Sequence, residues 1–183
     1  LVAARFVAED RRPIDALVLS SPALDPGMSA FQKLLLAVLG PLAPNLAVNN
    51  GLDPSWISRD AAVVREYVAD PLVHDRITPR LARFIVDSGP LVRARAERWR
   101  VPTLLLYAGS DRCVAPEGSA AMAAAAPRDV VTSQAFASLF HEIFNEPERD
   151  EVYAALRRWL DRRPTPSREP PPGEATASSG PGS

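Results

Sequence analysis

The stretch "VPTLLLYAGSD", residues 101–111, decides the fold. From Thr103 to Ala108 it is an uncharged, mostly apolar run, opened by Pro102 and closed by a Gly-Ser-Asp turn. A run of this kind suits a strand covered on both faces, as in a parallel sheet. Upstream, "IDALVLSSP" has the same form, with Ala16–Ser20 running between Asp15 and Pro22. Downstream, "DVVTSQ" at 129–134 reads as a third strand.

The segments between and around these strands read as helices. Residues 1–9 carry Leu1, Val2, Phe6 and Val7 at helical spacing and end at "RRP". "APEGSAAMAAAAP", 115–127, is an alanine-rich helix with Glu117 in its first turn and Pro127 as its stop. "EPERDEVYAALRRWLDRR", 146–163, is amphipathic, with Val152, Leu156, Trp159 and Leu160 on one face. Strand, helix, strand, helix is the order of an α/β sheet.

Residues 26–98 depart from it. They offer three helices and no strand: "MSAFQKLLLAVLGPLAP", "SWISRDAAVVREYV" and "TPRLARFIVDSGPLVRARAERW". The last has Thr78 as its N-cap and Pro79 in its first turn. A helical block between two parallel strands reads as a cap over the ligand end of the sheet. The expected organisation is therefore a core of 1–25 and 99–163, a helical cap of 26–98, and a disordered Pro/Ser/Gly-rich tail of 164–183.

The bulk properties exclude several classes. A net charge of -1 gives no electrostatic reason to expect a nucleic-acid partner. Cys113, the single cysteine, rules out an internal disulfide and fits a reducing compartment. The apolar run at 34–39 is too short to cross a bilayer.

Two residues stand where chemistry is done. Asp111 follows one strand and His141, in "SLFHEIFNEPERDEV", follows the next. Each alone has a plain reading: Asp111 as a turn residue, His141 as a polar residue near the start of the last helix. "HEIFN" lacks the second histidine of a zinc-protease helix, and no metal site is expected. Together, and in that order, the two match the acid and base of a Ser…Asp…His triad at the carboxyl edge of an α/β sheet. An imidazole takes the serine's proton, and a carboxylate fixes its tautomer and stabilises the imidazolium. No Gly-x-Ser-x-Gly elbow occurs in the chain. Ser20 and Ser21 follow a strand but lack flanking glycines; Ser110, Ser119 and Ser138 have no elbow context. Chain order puts the nucleophile upstream of Leu1, where the opening helix reads as already in progress.

Taken together, "DALVLSSPAL", "ISRDAAVVREYVADPLV", "VPTLLLYAGSDRCVAPEGS" and "FHEIFNEPERDEV" resemble the monoacylglycerol lipase and lysophospholipase branch of the α/β-hydrolase fold. These are capped serine hydrolases grouped with serine aminopeptidase-type domains. The resemblance runs from Leu1 to about Arg163 and implies the C-terminal portion of that fold, without its N-terminal part. It implies catalytic roles for Asp111 and His141, with nucleophile and oxyanion-hole donors outside the chain. It further implies a carboxylic ester or lipid substrate, no cofactor, and a cytoplasmic enzyme touching membranes peripherally through its cap. Leu35, Leu36 and Leu39 are the expected acyl-facing residues. Other chemistries on the same scaffold (peptidase, dehalogenase, perhydrolase) and a non-catalytic relative stay open.

Overall fold

The run at 103–108 is the middle of a three-stranded parallel sheet. A computed structural model of the chain describes residues 1–163, apart from the side chains of Phe31, Leu35 and Leu39. The tail at 164–183 lies outside the described residues. Strand β4 (Thr103–Ala108) pairs with β1 (Leu17–Ser20) on one side, Leu17 facing Thr103 and Ser20 facing Leu106. On the other side it pairs with β5 (Val131–Phe136), Thr103 facing Val131 and Ala108 facing Phe136.

Because side chains alternate across a strand, β4 feeds two cores at once. Leu105 points to one layer with Leu19, Leu24, Val92, Trp99 and Met122. Leu104 and Leu106 point to the other, with Phe136, Ile143, Val152 and Trp159. Each of the three leucines is at most 2% exposed, and burial of each stabilises the fold by about 1.5–3 kcal/mol. Helices α1 (Val2–Ala8), α4 (Pro79–Ala94) and α5 (Pro116–Ala125) cover the first face, and α6 (Arg149–Asp161) covers the second.

Three details differ from expectation. Strand β1 is covered on one face only: Leu17 and Leu19 are buried, but Val18 is 39% exposed, because α6 lies over β4 and β5. On α1 the buried stripe is Ala4 and Ala8, leaving Val2 exposed. On α6 Val152, Ala155 and Trp159 are buried while Leu160 is exposed, one position beyond the packed stripe.

The block at 26–98 holds the three expected helices. Helix α2 (Ala30–Leu39) opens on a capping box: Gln32 N donates to Ser29 Oγ and Ser29 N to Gln32 Oε1. Helix α3 (Ala61–Ala69) is capped by Asp60, and α4 by Thr78 with Pro79 in its first turn. The block also contains a two-residue antiparallel pair that the pattern does not predict, β2 (Val48–Asn49) with β3 (Arg76–Ile77). Two residues are too few to show a strand's alternation. Helix α4 reaches the core through Gly89, where a Cβ would lie 2.2 Å from the Leu24 carbonyl oxygen. The segment that follows β1 can therefore lie directly on the helix.

Candidate active site

The chain leaves β4 and β5 at the same edge of the sheet, and the two departing loops are zipped together. Gly109 N donates to the Phe136 carbonyl (2.8 Å) and Ser110 N to that of Leu139 (3.1 Å). The Ser110 hydroxyl donates to the Ala137 carbonyl at 2.8 Å. This approach is why residue 109 is glycine: a Cβ there would lie 2.7 Å from Ala137 Cα, a backbone atom that cannot swing aside. Gly109→Ala is expected to destabilise the protein by about 1–3 kcal/mol, the range of forced overpacking. Thermal denaturation of the variant checks this, and an unchanged midpoint would contradict it.

Asp111 is the first polar residue beyond the zipper whose side chain is buried, at 1% exposed. Its Oδ1 accepts from Cys113 N (2.8 Å) and Val114 N (3.1 Å), a turn that orients the carboxylate locally. That leaves Oδ2 for His141 Nδ1 at 2.7 Å. An ionised carboxylate only accepts, so Nδ1 carries the proton and Nε2 is left as an acceptor. The imidazole is 30% exposed. Asp111 and His141 thus form a hydrogen-bonded dyad whose basic nitrogen has no hydrogen-bond partner among the described residues.

His141 stands in the loop after β5; residues Ile143–Asn145 form a single 3-10 turn, and α6 starts only at Arg149. The loop is held in two ways. The Arg112 guanidinium sits 5.0 Å over the Phe140 ring. The segment before α3 also grips it: Glu142 N donates to the Ile57 carbonyl (2.8 Å), and the Ser58 hydroxyl to that of Asn145 (3.2 Å). Glu146, fully buried, accepts from Arg59 N (2.5 Å), Arg59 Nε (2.6 Å) and Phe140 N (3.3 Å). Arg59 also pairs with Glu148. Burial alone would raise the Glu146 pKa. The hydrogen bonds from Arg59 and the Phe140 amide outweigh it and hold the carboxyl below its ordinary value. Nothing local in the sequence pairs Arg59 with a residue 87 positions away, so this contact is visible only in the fold.

Two of the serines set aside for want of an elbow are engaged elsewhere. Ser21, at φ +35°, is buried, and its hydroxyl accepts from Ala108 N at 3.3 Å. Ser119 is buried in α5. Among the described residues no serine hydroxyl hydrogen-bonds His141.

Cys113 lies beside the dyad, with donor atoms of Asp111, Cys113 and His141 all within 4.8 Å of one another. Both Asp111 oxygens and His141 Nδ1 already carry hydrogen bonds. Burial, then Asp111 and Glu142, push the Cys113 thiol up to about 12, so it keeps its proton at neutral pH. The donor set therefore fits a proton-handling pair beside a neutral thiol better than a preformed metal seat, which needs deprotonated, uncommitted ligands. Cys113 is expected to alkylate with iodoacetamide about 10²-fold more slowly than a free cysteine at neutral pH, its scarcer thiolate outweighing that thiolate's greater nucleophilicity. Mass spectrometry of a time course measures the rate; labelling as fast as glutathione would contradict it.

A depression of about 420 Å³ adjoins Asp111, lined by Pro26, Gly27, Gly109, Arg112, Cys113 and Glu117 among others. A larger one of about 740 Å³ lies at the opposite edge of the sheet, between the end of α1 and Trp99–Val101. It is far from the dyad in the topology, since these residues precede β4. Of the leucines expected to face an acyl chain, Leu36 is partly buried on α2; Leu35 and Leu39 belong to that helix, but their side chains are outside the described residues. His74 is exposed, its Nδ1 accepting from Arg76 N.

A parallel sheet with an acid after its middle strand and a hydrogen-bonded histidine after the next defines an α/β-hydrolase. Comparison with known proteins agrees. A model of the family "Serine aminopeptidase, S33" matches residues 1–148. A monoacylglycerol lipase of Mycolicibacterium smegmatis is 35% identical over 148 residues, 79% of this chain and 52% of the relative. A phospholipase of Bacillus subtilis is 30% identical over 88% of this chain and 64% of its own length. The crystal structure of a monoacylglycerol lipase of Paleococcus ferrophilus superposes with a TM-score of 0.80 at 37% identity, covering 86% of this chain and 63% of that one. The chain therefore belongs to the serine aminopeptidase (S33) family of α/β-hydrolases, a family whose relatives here include ester hydrolases. It spans between about half and just under two thirds of the length of these relatives.

Proposed function

We propose that the protein containing this chain is a serine hydrolase of carboxylic esters, acting on monoacylglycerols or lysophospholipids. The observation that carries the reading is the contact of 2.7 Å between His141 Nδ1 and Asp111 Oδ2 at the carboxyl edge of the sheet. The similarity to monoacylglycerol lipases supports the substrate class. In this reading a serine preceding Leu1 attacks the ester carbonyl. His141 Nε2 takes its proton and passes it to the leaving alcohol, while Asp111 fixes the imidazole and stabilises its charged form. Water then releases the acid by the same route, and backbone amides outside this chain hold the oxyanion. Strand β1 pairs only with β4 among the described residues, which leaves an open edge where a preceding strand would add.

In the same reading, residues 26–98 form a cap, and Leu35, Leu36 and Leu39 of α2 face the acyl chain. The opposite face of α2 and the turn after it expose Leu34, Val38, Leu42 and Leu46 at 58–79%. Such a surface suits shallow contact with a lipid interface. No described helix is long and apolar enough to cross a membrane. A cytoplasmic location with peripheral membrane contact completes the proposal.

The test is to express the complete coding sequence, read upstream of Leu1, and assay it on monoacylglycerol, lysophospholipid, nitrophenyl ester and aminoacyl substrates. A Gly-x-Ser-x-Gly just upstream with preference for the lipid esters supports the proposal. No serine at the elbow would refute the hydrolase reading. Preference for aminoacyl substrates would refute the ester assignment.

A further inference from the structure

Among the described residues classed as buried, Glu146 is the one that carries a charged side chain. It is fully buried, charged, and has both oxygens filled by donors, from Phe140 in its own loop and from Arg59 far away in sequence. One donor is the amide of Phe140, the residue that immediately precedes His141. The others come from Arg59, which belongs to the helical block between β1 and β4. A buried ion pair is weak evidence for stability, since apolar residues of the same shape would serve as well. Its use has to be sought in what it fixes. Here it fixes the backbone next to the base. The imidazole is also the partly exposed member of the dyad, and among the described residues its side-chain hydrogen bond is the one to Asp111 Oδ2. Its placement therefore depends on the loop that carries it.

We propose that Glu146 and Arg59 are positioning residues for His141, and that through them the seating of the helical block sets where the base stands. This rests on the catalytic reading of His141. The carboxylate holds the loop at Phe140, while Ile57 and Ser58 hold it at Glu142 and Asn145. Displacing the 57–60 segment displaces all of these contacts together. A misplacement of about 1 Å at a reacting group can cost 10²-fold in rate, so the clamp acts on kcat and not on substrate affinity.

The experiment uses the protein expressed from its complete coding sequence, with Glu146→Gln as the main variant. Glutamine keeps the shape, but its amide nitrogen now meets an N–H donor where an oxygen accepted. Arg59→Lys is the second variant; it keeps the charge, retains the backbone donor, and loses the planar guanidinium that reaches both Glu146 and Glu148. Two readouts are taken: kcat and KM per titrated active site, and the NMR signal of the His141 Nδ1 proton that lies against Asp111.

The expected result is a fall in kcat of about 10–10² with KM within about threefold, and a shifted or broadened imidazole proton in both variants. Normalising to active sites removes any effect of partial unfolding. Unchanged kcat per site and an unchanged imidazole signal, with only a lower melting temperature, would reduce the clamp to a structural role and overturn the proposal. So would a rise in KM alone. If Glu146→Gln does not fold, the Arg59→Lys readouts decide by the same criteria. Should the parent protein hydrolyse nothing, the function proposed above fails separately, and the imidazole signal alone still decides whether the clamp places His141.

Discussion

His141→Ala, made in the protein expressed from its complete coding sequence, is expected to lower kcat by about four to six powers of ten, with Asp111→Asn costing about 10⁴. The asymmetry follows from the geometry. In the proposed mechanism, removing the imidazole removes the group that accepts the proton. The asparagine side chain of Asp111→Asn keeps the shape but can turn its amide nitrogen towards Nδ1, which reverses the tautomer and leaves Nε2 protonated. The Oδ1 position, held by Cys113 N and Val114 N, has room for an amide oxygen but not for an amide nitrogen. That constraint forces the nitrogen towards the histidine. Steady-state rates on a monoacylglycerol substrate measure both variants. Retention of a tenth or more of the activity by His141→Ala would remove the base from the mechanism.

The second large effect is on stability. Arg59→Ala is expected to cost about 3 kcal/mol at neutral pH, because it strands a carboxylate that is wholly buried. The figure is placed at the low end of the usual range because a third of the Arg59 side chain faces water, which can enter the vacated space. Glu146 has a depressed pKa in the folded protein. Its contribution is therefore fully present above the unfolded glutamate value, about 4.3, and is lost as pH falls through the folded value. Without Arg59 the largest group holding that pKa down is gone, and burial pushes it up. The gap between the two proteins should then be widest at neutral pH and narrow on acidification, as the stranded carboxyl takes up a proton. Urea denaturation at neutral pH and near the glutamate pKa tests the sign. A gap that widens in acid would show that Glu146 is not the group concerned.

Much of the frame was legible in the sequence because it depends on local pattern. The run at 103–108 coincides with β4 to the residue, and the N-cap Thr78 carries its signal within a turn of chain. Asp111 and His141 could be paired because each follows a strand, and the order of strands in a parallel sheet puts both at one edge. What could not be read depends on neighbours far away in sequence. Val18 is exposed because of where α6 lies, not because of the residues beside it. The β2–β3 pair is too short to have a period. The sequence offers Glu146 as a residue holding the His141 loop and Arg59 as one that folds the helical block, but nothing in either motif says that the two meet across 87 positions.

The two members of the dyad also differ in how far the chain must travel to set them. The Asp111 carboxylate is oriented by amides two and three residues away, a turn that closes at almost no cost in loop entropy. The His141 loop is tied down by contacts 87 residues apart, which form only once the intervening chain has folded. Asp111 is thus expected to be set early in folding and His141 late. Native-state hydrogen exchange should show it: the Arg59 and Phe140 amides opening with the helical block, and those of Cys113 and Val114 protected independently of it. If all four opened together, the two halves of the dyad would belong to one cooperative unit. Otherwise a pair of side chains that touches at 2.7 Å is assembled from one local and one global folding event.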